Sequence, residues 1–202
     1  GAGYAVTTGV RNTLLGQSAG AAITTGSHNT GSGYKVLNFL TTGCLNAAYG
    51  YHAGYCTTSG CYNVSMGFAA LRGNTTAHNN TAIGTCALYA NTTGADLVGV
   101  GFKALVANTT ACYNVAVGSY SLYDNTTGTR HVAIGNHALF ENTSGNYNTA
   151  VGSFAGKNNT TGDDNVWMGY TAGHDNTTGD KNVGIGNCAL RKTTSGCNNT
   201  AA

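Results

Sequence analysis

Small, apolar and polar residues recur along this chain with a period of 17, without insertion or deletion. Aligned on a glycine at position five, the unit reads Asn-[Thr/Val]-Ala-[Ile/Val]-Gly-x-x-Ala-Leu-x-x-Asn-Thr-Thr-Gly-x-x. The glycine is Gly16, Gly33, Gly50, Gly67, Gly84, Gly101, Gly118, Gly135, Gly152, Gly169 and Gly186. Position one is Asn12, Asn29, Asn46, Asn63, Asn80, Asn114, Asn148, Asn165, Asn182 and Asn199, with Leu97 and His131 as the exceptions. Position four is mostly apolar, position eight small, and position nine Leu or Gly. Position thirteen is Thr in every unit, fourteen is Thr or Ser, and fifteen is Gly except at Ala77 and Ala111.

A unit this short cannot hold a helix pair, which needs about 33 residues or more. Thr, Asn, Gly and β-branched residues are also poor helix formers. The period therefore predicts an all-β fold, a parallel β-solenoid of about twelve coils, each with two or three short strands and tight turns. Stacked at about 4.8 Å, twelve coils make a rod roughly 55–60 Å long. In Asn148-Thr149-Ala150-Val151-Gly152 the alternation points positions two and four at the core. Position three is usually small, with Trp167 conspicuous, and Gly at five turns the corner. The segment Ser119-Tyr120-Ser121-Leu122-Tyr123 carries position nine inward, either as a strand or as a short helical turn. Positions seven, ten, sixteen and seventeen tolerate His, Tyr, Lys, Arg, Phe and Cys, and are expected outside. Asn-Thr-Thr-Gly reads as a turn. Stacked Asn at position one forms a ladder, each amide donating to one neighbour and accepting from the other. A column of Asp would instead set like charges about 4.8 Å apart. Residues 1–202 read as one repeat domain without visible terminal caps. Its end coils leave strand edges open, so caps are expected in flanking sequence or in a neighbouring subunit, the latter giving an end-to-end filament.

Composition removes other classes. There is no proline and no glycine every third residue, which excludes collagen. Hydrophobic residues are 41% and Tyr numbers 12, too many for a solvated linker. Nine basic and seven acidic residues are spread thinly, giving no case for nucleic acid or an anionic membrane surface. No apolar run reaches the roughly 18 residues of a membrane span. The start, Gly1-Ala2-Gly3-Tyr4, is not a signal peptide and lacks an initiator Met, so a longer parent chain is expected.

Candidate chemistry is sparse, and the chain is expected to be neither an enzyme nor a cofactor carrier. His52 and His137 share position seven but lie five coils apart, about 24 Å. His28, His78, His131 and His174 are scattered, and all six histidines are expected to face solvent. Asp163 and Asp180 share position sixteen with Asp164 alongside, a weak site for a hard cation such as Ca²⁺; surface acids near Lys181 are the plainer reading. Of seven cysteines, Cys44 and Cys61 share position sixteen in adjacent coils, within disulfide reach. A Cys56–Cys61 bond competes, and Cys112 and Cys197 have no Cys neighbour in that rank. Sequons at Asn74, Asn91, Asn108, Asn125, Asn142, Asn159 and Asn176 are acceptors only if exposed in a suitable host; their shared position also admits a purely structural cause.

The unit, clean in Asn80-Thr81-Ala82-Ile83-Gly84 and Ala87-Leu88-Tyr89-Ala90-Asn91-Thr92-Thr93-Gly94, resembles a repeat of phage tail-fibre and bacterial surface proteins over essentially the whole chain. Its strand-and-glycine part is more weakly similar to the head repeat of trimeric autotransporter adhesins, whose unit is shorter. The resemblance implies an elongated, homotrimeric and left-handed shaft or head, outside the cell or on a virion surface, for attachment or display. It carries over no catalytic residue. Two alternatives remain. One is binding of a cell-surface glycan through Tyr55, Tyr89, Tyr123, Phe140 and Trp167. The other is ice binding through the Thr array, against which positions thirteen and fourteen are adjacent and do not share one strand face.

Overall fold

A computed structural model describes every residue, Gly1–Ala202. The chain is a parallel β-solenoid of twelve coils. Its twelve strands, from β1 (Thr13–Leu15) to β12 (Thr200–Ala201), form one sheet in sequence order. Each pairs in register with the strand 17 residues on, as β7 (Val115–Val117) does with β8 (Val132–Ile134) through Val115–Val132, Ala116–Ala133 and Val117–Ile134. No helix is long and apolar enough to cross a membrane.

Each coil holds one strand, not the two or three expected. Left-handed backbone brackets it. Position seventeen lies at φ near +58 (Asp96, Lys181) and the position-five glycines lie between +117 and +143. Positions six to eleven are neither a straight strand nor a helical turn. They form consecutive turns with two more left-handed residues, at position seven (Lys103, φ +55) and position nine (Leu105, φ +52). Such a geometry costs an L-residue roughly 1–2 kcal/mol. It persists because the turned backbone is satisfied by neighbouring coils. Leu37 N–H donates to the Ala53 carbonyl (3.0 Å), and Lys35 N–H to the Gln17 carbonyl (2.9 Å). Of 135 backbone hydrogen bonds only 22 lie within strands, so the turns contribute most of the lattice.

The turn at positions thirteen to fifteen aims three amides at one oxygen. Thr24, Thr25 and Gly26 N–H all donate to the Thr41 carbonyl (3.0, 3.3 and 3.1 Å). The Thr24 hydroxyl donates to that carbonyl as well, at 3.2 Å, and the motif recurs at Thr41 and Thr58. This is why position thirteen keeps a hydroxyl-bearing residue.

The strand faces are the reverse of the expectation. Position three is buried, as at Ala82, Ala116, Ala133 and Trp167. Position two is half-exposed, and position four is exposed or half-exposed along the sheet. A 17-residue coil is too narrow for large residues from both walls. Leu71, Leu88, Leu105, Leu122 and Leu139 at position nine already fill the interior, so the strand opposite must present Ala, Gly or Ser. Where position three is large, position nine shrinks. Trp167 is fully buried, and Cβ atoms added to Gly156 and Gly184 would lie 2.6 and 3.0 Å from its indole; one on Gly173 would overlap the ring. The apolar column thins at Gly54 and Ser65, separating a cluster of 7 residues (Ala19–Ala53) from one of 17 (Ala70–Ala172).

Candidate functional site

Two columns of asparagine run through the rod. At position one, Asn46 Nδ2 donates to Asn29 Oδ1 (3.0 Å) and to the Gly60 carbonyl (2.9 Å), while Asn46 Oδ1 accepts from Asn63 N–H and Nδ2. The same links join Asn12 to Asn29 and run from Asn148 through Asn165 and Asn182 to Asn199. Asn80 and Asn114 each donate to a position-fifteen carbonyl. The second column consists of the sequon asparagines. From Asn74 through Asn91, Asn108, Asn125, Asn142 and Asn159 to Asn176, each amide donates to the preceding Oδ1 at 2.7–3.2 Å. Each of the seven also donates to the carbonyl three residues on, and all are fully buried. No sugar reaches them in the folded rod.

His131 takes an asparagine's place in the first column. Contrary to the expectation that every histidine faces solvent, it is buried. Its Nδ1 accepts the Asn148 amide (3.2 Å) and its N–H donates to Asn114 Oδ1 (2.9 Å). That places the ring proton on Nε2, beside the Gly145 carbonyl and 3.2 Å from Asn142 Nδ2. The imidazole thus reproduces both the donor and the acceptor of the missing amide. Burial pushes its pKa down to about 4 against an ordinary 6.5. The folded state therefore resists a proton that the unfolded chain accepts. Full stability holds above pH 6.5 and is lost as pH falls toward 4, by about 3 kcal/mol. Thermal melts of native protein and His131→Asn at pH 7, 5.5 and 4 are expected to converge at neutral pH and separate in acid, with native lower. Parallel curves would refute the assignment.

Position sixteen is half-buried rather than simply outward, because it feeds a third column. In most coils, though not at Ala95, whose methyl has no acceptor, its side chain accepts the N–H of the residue 17 earlier. Ser27 does this for Val10, Cys61 for Cys44, His78 for Cys61, Cys112 for Ala95 and Asn146 for Thr129. Asp163 and Asp180 belong here. Asp163 accepts from Asn146 N–H and Asp180 from Asp163 N–H, while Asp164 sits at exposed position seventeen. No group of three or more His, Cys, Asp or Glu is placed to hold a metal ion.

The column brings Cys44 and Cys61 together as free thiols, Sγ atoms 2.9 Å apart; Cys56 stands on the corner at position eleven. The hydrogen bond to Cys61, then burial, pushes the Cys44 thiol up to about 11. Glutathione disulfide is expected to oxidise the pair, each thiol losing a proton and the oxidant taking two electrons. The bond should add about 3 kcal/mol for a loop of this length. Intact mass lower by two hydrogens and a Cys44–Cys61 peptide would establish it; two thiols still open to alkylation would not.

The corner of positions six, seven and ten carries an aromatic track. Tyr34, Tyr51 and Phe68 stack at 5.2 and 5.3 Å between centroids. His52 lies 4.0 Å from Tyr51 and 4.5 Å from Tyr55. Arg72 sits between Tyr55 and Tyr89, 5.3 and 5.5 Å from their rings. A second group joins Tyr123 to Phe140 (4.9 Å, 8° between planes) and His137 to Tyr120 and Phe154. Positions seven and ten are therefore partly covered by one another rather than freely outward. His52 and His137 have lowered pKa values, from burial first and then from the neighbouring cations Arg72 and Lys157 respectively. Trp167 is not on this surface.

No protein family, curated protein or solved structure matches the chain.

Proposed function

We propose that this chain is a non-catalytic structural module, a rigid self-associating rod serving as shaft or display element of an extracellular fibre on a cell or virion surface. The supporting observation is the unbroken register. Twelve strands pair in sequence order with no bulge or slip, and polar columns run beside them. A coil made this way extends length without a cavity or hinge, which suits spacing and presentation. The resemblance of the repeat to tail-fibre and surface proteins supports the extracellular placement. Electron microscopy of the native particle tests it: straight rods within a surface fibre are expected, and a soluble globular complex would refute it.

The aromatic track favours a second reading, in which the rod also binds a surface glycan. A glycan array probed with native chain and with Tyr89→Ala/Tyr123→Ala should show signal lost in the variant; equal signal would remove this reading.

A further inference from the structure

We propose that two copies of this chain pack face to face through the outer surface of the twelve-stranded sheet. That surface is built by positions two and four. Parallel sheets are normally covered on both faces; here the inner face meets the core and the outer face meets nothing. Leu15, Met66, Ile83, Ile134, Met168 and Ile185 stand exposed along one line, Ile134 at 40% and Leu15 at 69%. The neighbouring rank, position two, is Val in six coils, Thr in five and Ala in one. None of the nine basic and seven acidic residues falls at position two or four in any coil. Five of them stand at adjacent position seventeen: Arg11, Asp96, Arg130, Asp164 and Lys181. An uncharged centre of aliphatic and threonine side chains beside a charged rim is the anatomy of a protein interface.

Period and area argue for a second copy as occupant. The rows repeat at about 4.8 Å over twelve strands without a bulge. A partner that fills every row needs the same spacing, which another copy of this sheet supplies. Two such sheets would then interdigitate about 10 Å apart. The strand face is about 55 Å by 10 Å from strand spacing and rise. Doubled over two copies and widened by the flanking positions, it clears the roughly 1,200 Å² of a specific interface. The twelve strands form one sheet, so a two-fold pairing sets the same patch of both partners against each other.

This inference narrows the self-association proposed above to one face. Rods that associate only end to end in the micrographs would keep the rod reading and lose this one. The test is sedimentation of the purified chain. Native protein is expected at twice 20.4 kDa, and Val117→Asp/Ile134→Asp at 20.4 kDa with an unchanged far-ultraviolet spectrum. Self-association should weaken about a hundredfold or more, because a carboxylate would be buried unpaired. The matched control Thr93→Asp/Thr110→Asp, at exposed position fourteen, should stay dimeric. The pairing is overturned by a native monomer at every concentration, by a dimer that survives the strand-face aspartates, or by an assembly of three or more copies. A monomer that shapes ice crystals, and loses this with Val117→Asp, would give the face to ice and equally overturn it. Should the aspartates unfold the coil, a photo-crosslinking residue at Ile134 decides. Crosslinks to positions two and four of another copy support the pairing, and their absence ends it.

Discussion

Trp167→Ala lowers the unfolding free energy by about 3–5 kcal/mol, the range for emptying a buried aromatic site. Part of that loss is recoverable at Gly173, position nine of the same coil. Most coils carry Leu there, and Gly173 shares their left-handed backbone (φ +60 against +52 at Leu105). In the native chain Gly173→Leu is itself strongly destabilising, since the indole occupies the space. Once the indole is gone, the leucine fills it. Denaturant melts should therefore place Trp167→Ala/Gly173→Leu above either single variant, with a coupling of about 1–3 kcal/mol. Additive losses would show that the tryptophan and the glycine do not share one volume.

Gly118→Ala is the second large effect. Gly118 has φ +136, and an added Cβ would lie 2.6 Å from the Gly135 carbonyl carbon, backbone that cannot rotate away. Strain and overpacking together give about 3–5 kcal/mol. Gly54→Ala is the contrast. Its φ is +59, and the nearest obstacle is a methyl of the flexible Leu37 side chain at 2.8 Å. A cost of about 1 kcal/mol is expected there. Equal melting shifts for the two variants would contradict the distinction between the two kinds of glycine.

That distinction marks how far the repeat could be read beforehand. Glycine at position five is never replaced, whereas position nine alternates Gly with Leu; both are left-handed, but only the first is closed to side chains. The period predicts the coil and its parallel stacking, because a residue type kept every 17 positions must meet its own kind. Strand orientation departs from the hydropathy pattern for a physical reason. Val, Ile and Met at positions two and four look like core until the interior width is counted. Leu at nine and Asn at one and twelve leave room only for Ala, Gly or Ser. The signal was present in Trp167, whose neighbours Gly156, Gly173 and Gly184 are all small. Position sixteen shows a subtler limit. Ser, Cys, His, Asn and Asp share no hydropathy, only a side-chain atom able to accept an amide, and hydropathy patterns do not register that. His131 hides for the same reason, as an imidazole filling a carboxamide's role.

The amides that converge on a position-thirteen carbonyl, three of them at Thr24, Thr41, Thr58 and Thr160, join a coil only to its immediate neighbours. The molecule therefore has no intrinsic size. Excising residues 63–79 would bring Asn80 over Asn46 and leave the lattice closed, shorter by about 4.8 Å. Reach becomes a quantity set by copy number, adjustable by recombination between units without inventing a new contact, and each added turn contributes a similar increment of stability.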